Sequence, residues 1–219
     1  PTTTPETDVL PTSAMVSVDR VASLLPGRGW EELSTHDNTH GDGLVMPCQQ
    51  ARYADPRVVD ALVREIKTPR GAEPRRSVVA STEASRNERA AGRALGRLTD
   101  WFARCQAERS QLLSTSTVTG VGDEALQIVL RDWADPVTTT VVGLARTGRF
   151  VVTTTSSVRD DRLEAPRAQT LLLAAAVDGV CDLPGGSACS RGTPKTKRRD
   201  ALPVGDPATM LVEGDLPPV

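Results

Sequence analysis

His36 and His40 are the only two histidines in this sequence, and they share one polar stretch, Ser34 to Gly43, with Asp37, Asn38 and Asp42. Imidazoles and carboxylates at such short spacing are the groups that hold zinc or another divalent cation. A histidine beside a serine or cysteine is also what nucleophilic catalysis requires. A His-Asp-x-x-His run brings both rings to one side only if it is helical; Asn38 and Thr39 compete with helix by bonding nearby backbone, and Gly41 is a poor helix former. The stretch therefore reads first as a solvated loop, with a secreted hydrolase using His36 and His40 as the chemical alternative. No Gly-x-Ser-x-Gly, no phosphate-binding Gly-Lys-Ser/Thr and no dinucleotide fingerprint occurs. Asp123 and Glu124, with Asp132 and Asp135 at the other end of one predicted strand, have the composition of a glycosidase carboxylate pair. Their ordinary reading is as turn-capping acids.

Cys48, Cys105, Cys181 and Cys189 form an even set. Zinc thiolates usually come in close C-x2-C pairs, and none exists here, so disulfides are the favoured reading. Of the three possible pairings, Cys48–Cys105 with Cys181–Cys189 is preferred. The seven residues between Cys181 and Cys189 hold a tight Pro-Gly-Gly turn that can bring two Cα atoms within bridging distance. By chain entropy the longer closure is worth about 4 kcal/mol and the shorter about 2.5 kcal/mol. Disulfides imply an oxidising compartment, and the expected location is extracytoplasmic, secreted or membrane-anchored.

A chain of 219 residues with 38% hydrophobic content suits one ordinary domain with a real core. A formal net charge of −2 gives no footprint of a nucleic-acid binder. All but three of the 26 basic residues are Arg; with abundant Ala, Gly, Pro and Val this suggests a high-GC, actinobacterial source. The longest apolar run, Leu171 to Val177, is far short of the roughly 18–20 residues that cross a membrane. The opening Pro-Thr-Thr-Thr-Pro-Glu-Thr resembles a spacer between a folded domain and a membrane anchor. A tether through an upstream N-terminal segment is expected, a boundary drawn inside a cytosolic protein being the alternative.

The elements follow from spacing. Residues 1–16 read as flexible spacer, 17–189 as the folded domain and 190–219 as tail or linker. Val18 to Leu25 is a short helix. Ser85 with Glu88 has the form of a capping box, and Ala90, Ala91, Ala94, Leu95, Leu98, Trp101, Phe102 and Cys105 fall at helical spacing behind it. Val58 to Lys67 fits helix or strand. Ser77 to Glu83 reads as a strand, and four more follow the long helix: Gln111–Val121, Ala125–Trp133, Val137–Arg146 and Arg149–Val158, joined by short turns into an antiparallel meander. In the second of these, Leu126, Ile128 and Leu130 face one way, with Gln127 and Arg131 on a wetter side. A second amphipathic helix spans about Pro166 to Val180, and Asp206 to Val212 is a last short helix. Lys195 to Arg199 lies in a loop-like tail. Arg86, Arg89, Arg93 and Arg97 form a stripe that is usually solvated. The expected fold is α+β: an antiparallel sheet of about five to six strands, two long helices packed on one face, and disulfide bonds.

This arrangement resembles the extracellular sensor domain of actinobacterial receptor serine/threonine kinases, the PknH-like sensor family, which also occurs in envelope lipoproteins. The likeness is carried by Pro47-Cys48-Gln49, the Glu88–Cys105 helix ending Trp101-Phe-Ala-Arg-Cys105, and Gly120-Val-Gly-Asp123 before Leu126-Gln-Ile-Val-Leu130. Arg146-Thr-Gly148 before Phe150-Val-Val152 and the closing Val180-Cys181 complete it. The resemblance implies an antiparallel sheet flanked by helices, a cleft between them, a disulfide from the early loop to the long helix, and non-catalytic ligand sensing. It also favours strand for Val58 to Lys67. One departure is that the family's last-helix cysteine bonds back to a strand, whereas Cys189 is the natural partner of Cys181 here. On this reading Trp30, Tyr53, Arg131 and Trp133 would line the cleft. The ligand would be an envelope small molecule, lipid or glycan, with no cofactor; a protein partner or a structural envelope role is the further alternative.

Overall fold

A computed structural model describes residues 10–105, 109–160 and 166–199. Its β-branched and Ala-rich segments assemble into one antiparallel sheet of eight strands, ordered β1-β2-β3-β7-β6-β5-β4-β8. These are β1 (Glu31–His36), β2 (Asp60–Lys67), β3 (Arg76–Ala84), β4 (Ser110–Thr119), β5 (Glu124–Asp132), β6 (Thr138–Thr147), β7 (Phe150–Val158) and β8 (Lys195–Arg199). The described helices are α1 (Val18–Leu24), α2 (Glu88–Ala103) and α3 (Pro166–Asp178).

The expectation of five to six strands with two long helices on one face is thereby corrected. Three segments enlarge the sheet. Ser34 to His36, taken as loop, belong to β1; the ambiguous stretch around residue 60 is β2; and Lys195 to Arg199, taken as loop, pair with β4 as β8. The helices are short, and α2 and α3 lie on opposite faces. On β6, Val142 and Leu144 pack with Leu95, Leu98, Trp101 and Phe102 of α2. Alternate residues point the other way: Ala145 clusters with Leu173 and Val177 of α3, and a Cβ on Gly143 would lie only 3.1 Å from the Leu173 Cδ2. Gly143 thus lets α3 settle directly on the strand. Gln127, assigned from sequence to a wetter face, is 3% exposed and donates to the Pro166 carbonyl at 2.7 Å. A sheet covered on both sides buries both of its parities, and buried polar side chains then need internal partners.

Local chemistry explains the helix ends. Asn87, not Ser85, caps α2: its side-chain oxygen accepts from Ala90 N at 3.0 Å. Ser85 N–H is committed to the Arg149 carbonyl at 2.9 Å, which continues the β3–β7 ladder past β3 and keeps Ser85 in extended backbone. Leu10, Ala14, Met15 and Val16, expected within a flexible spacer, are buried. The Arg64 guanidinium on β2 holds the carbonyls of Thr12 (3.1 Å), Met15 (3.1 Å) and Val16 (3.2 Å). The proposed helix at Asp206 to Val212 lies outside the described residues.

Both expected disulfides are formed, Cys48–Cys105 and Cys181–Cys189, each with Cα atoms 5.1 Å apart. They point to an oxidising, extracytoplasmic environment. Among the described residues no helix is long and apolar enough to cross a membrane.

Candidate functional site

The β2–β3 hairpin brings most of one cation-rich site together. Its connection turns through Pro69, Gly71 (φ 96°) and Pro74. Buried Thr68 closes the base, donating its N–H to the Arg76 carbonyl at 3.0 Å and accepting the Arg76 N–H on its hydroxyl at 3.0 Å. Ladder bonding runs beyond the strand ends, Arg159 N–H donating to the Arg75 carbonyl at 3.0 Å. Register places Ser77 opposite both Lys67 and Ser157. By continuation, Arg75 faces Arg159 two residues further along the same face, because side chains alternate with a period of two. Ser77 shares its parity with Glu83, so this is the α2 side of the sheet.

The result is a cleft of about 410 Å³ in which Lys67, Arg70, Arg75, Arg76 and Arg159 supply five cations and Ser77, Thr138 and Ser157 supply hydroxyls. Among the described residues no carboxylate, histidine or cysteine lines it. Arg76 is engaged, donating to the Pro74 carbonyl at 3.2 Å. Lys67, Arg70, Arg75 and Arg159 form no ion pair among the described residues.

The residues singled out from sequence do not converge. Trp30 is 7% exposed and packs beside Val21, Leu25 and Ile66 under α1. Tyr53 sits in the loop after β1, its hydroxyl donating to the Asp37 carbonyl at 2.9 Å, and burial pushes its pKa up. Arg131 and Trp133 do come together: the guanidinium lies 5.2 Å from the indole centroid, and Trp133 is 53% exposed with its N–H on the Gln111 side chain at 3.2 Å. That pair is at the β5–β6 end of the sheet, where Asp132 faces Thr138 of the cleft. The arginine stripe on α2 is broken, since Arg97 turns inward and donates to the Ala54 carbonyl.

The histidines are structural neighbours of a turn. His36 ends β1, its Nδ1 accepting from Asn38 N at 3.0 Å and its Nε2 3.7 Å from Glu65. Asp37 is capped by Thr39, whose hydroxyl (2.7 Å) and N–H (3.1 Å) hold the carboxyl below its usual range. Arg52 binds the carbonyls of Asn38, His40 and Gly41, fixing the loop. Asp123 caps turns as expected. Burial raises its pKa, but Gly148 N (2.7 Å), the Ser187 side chain, Ala188 N and Arg146 (3.0 Å) outweigh burial and lower it. Asp178, Cys181 and Cys189 converge as a metal site would, yet both cysteines are consumed by their disulfide.

Two features escaped sequence reading. Glu83 is half-buried beneath the loop after β1 and lines a small cavity with Tyr53, Arg52 and Asn38. Its signal was an acid at an inward-facing parity of a predicted strand. The cationic cleft had a clearer one, Lys67, Arg70, Arg75 and Arg76 gathered around a single turn. No protein-family model matches this sequence, and no curated protein matches it.

Proposed function

We propose that this chain is an extracytoplasmic, non-catalytic ligand-binding domain of an actinobacterial envelope protein, in keeping with its resemblance to PknH-like sensor domains. The ligand is held in the cleft between the β2–β3 hairpin and the ends of β6 and β7. What carries the reading is the described lining of that cleft: five cations and several hydroxyls that can orient an anionic or polar ligand. The two disulfides support the extracytoplasmic part.

The test is calorimetric titration of the full chain against a panel of envelope glycans, peptidoglycan fragments, anionic lipids and phosphorylated compounds. A parallel assay follows turnover of generic ester and peptide substrates. Saturable binding without turnover, weakened by cleft substitutions, is the expected outcome. Turnover that disappears in His36→Ala/His40→Ala would replace this reading with the hydrolase one.

A further inference from the structure

We propose that the cleft takes a polyphosphorylated ligand, a compact molecule or headgroup carrying at least two phosphate groups. The inference rests on the cleft being the binding site and names the chemistry it accepts.

Arg75 and Arg159 are direct neighbours across the β3–β7 ladder, joined by their backbones at 3.0 Å. Like charges at such a position repel, and among the described residues no acid of the cleft lies between them. Among the described residues, Glu65, two before Lys67, is turned to His36 at 3.7 Å, and neither Glu73 nor Asp160 lines the cleft. A cluster of this kind is stabilised when an anion enters.

The number of cations selects the class of anion. Lys67, Arg70, Arg75 and Arg159 bring four positive charges, more than one carboxylate or monoester balances. Guanidinium forks match phosphate oxygens in pairs, and the Ser77 and Ser157 hydroxyls lie on the floor to bond the rest. Strand spacing of about 4.8 Å and a two-residue repeat of about 6.6 Å spread the charges over an area one or two phosphates wide. The volume, about 410 Å³, is that of a small-molecule site and excludes a folded partner. The cations of β8, by contrast, are all exposed on a strand at the end of the sheet order, and they serve as the control for unspecific charge.

Two sources offer this chemistry, a free polyphosphorylated solute and a phosphorylated lipid headgroup. The full chain is titrated calorimetrically with tripolyphosphate and with citrate, and floated with phosphatidylcholine vesicles with or without about a tenth of phosphatidylinositol bisphosphate. Expected is one saturable tripolyphosphate site, weakening steeply with added salt. It falls at least about tenfold, or 1.4 kcal/mol, in Arg75→Gln/Arg159→Gln and stays within about twofold in Lys195→Gln/Lys197→Gln. Flotation with the phosphoinositide vesicles, competed by tripolyphosphate, assigns the ligand to a headgroup; solution binding alone assigns a free solute.

Should Arg75→Gln/Arg159→Gln fail to fold, Lys67→Gln/Arg70→Gln takes its place. Equal losses in the cleft and β8 variants, or citrate binding as well as tripolyphosphate, would overturn the proposal. Binding of a neutral glycan in the cleft with none of phosphate refutes this inference and leaves the ligand-binding reading standing. Absence of any binding, with histidine-dependent turnover, removes both.

Discussion

The Glu83 carboxylate on β3 accepts the backbone N–H of Ala54 at 2.8 Å, and its second oxygen accepts that of Asp55 at 2.9 Å. Ala54 is gripped from the other side too, since its carbonyl accepts from Arg97 of α2. One fully buried residue of the loop after β1 is thus fastened to sheet and helix at once. Burial raises the Glu83 pKa from 4.5 to about 7; the two N–H bonds and Arg97 pull it down, and the charge of Asp55 adds to the rise.

A pH prediction follows from that direction. Between pH 4.5 and about 7 the folded chain holds a proton at Glu83 that the unfolded chain has lost. The stability this group contributes is therefore complete below the unfolded pKa and is lost as pH rises through the folded one. Glu83→Gln cannot titrate. Urea midpoints measured from pH 4 to 8 should show wild type losing ground relative to Glu83→Gln as pH rises. Two parallel curves would mean that the Glu83 carboxyl is not desolvated by the loop that covers it.

The disulfides differ in the loops they close, with separations of 57 and 8 residues. Chain entropy assigns about 4 kcal/mol to the first and about 2.5 kcal/mol to the second. Chemical denaturation of Cys48→Ser/Cys105→Ser should show the larger loss, and Cys181→Ser/Cys189→Ser the smaller. The reverse order would show that the short bridge fastens more than its own loop.

Capping gives the third test. Asn87→Ala removes the bond to Ala90 N and should cost about 1 kcal/mol. Ser85→Ala should cost nothing or stabilise slightly, because the Ser85 hydroxyl is buried with no hydrogen-bond partner among the described residues. A loss at Ser85 equal to that at Asn87 would restore the capping box read from sequence.

Much of the meander was legible, because Gly120 to Asp123, Ala134 to Pro136 and Thr147-Gly148 are strong turn signals between β-forming runs. The strands β5, β6 and β7 lie within a residue or so of the boundaries read from pattern. What pattern alone does not carry is sidedness. The amphipathic faces of α2 and α3 each demand a sheet, and neither states which face. A clue was present in Val141-Val-Gly-Leu-Ala145, apolar at both parities, as two-sided burial requires. Strands β1 and β8 were hidden for another reason: edge strands rich in Glu, Ser, Lys and Arg lack the apolar alternation that marks a strand. Of the residues expected to line a cleft, Trp30 is in the core under α1, whereas Arg131 and Trp133 stack near one end of the sheet.

Each covering layer carries its own covalent lock just past the end of its helix, Cys105 beyond α2 and Cys181 beyond α3. No bridge runs from one layer to the other. Among the described residues the two sides meet through the thickness of the sheet, where adjacent residues such as Val142 and Gly143 touch opposite helices.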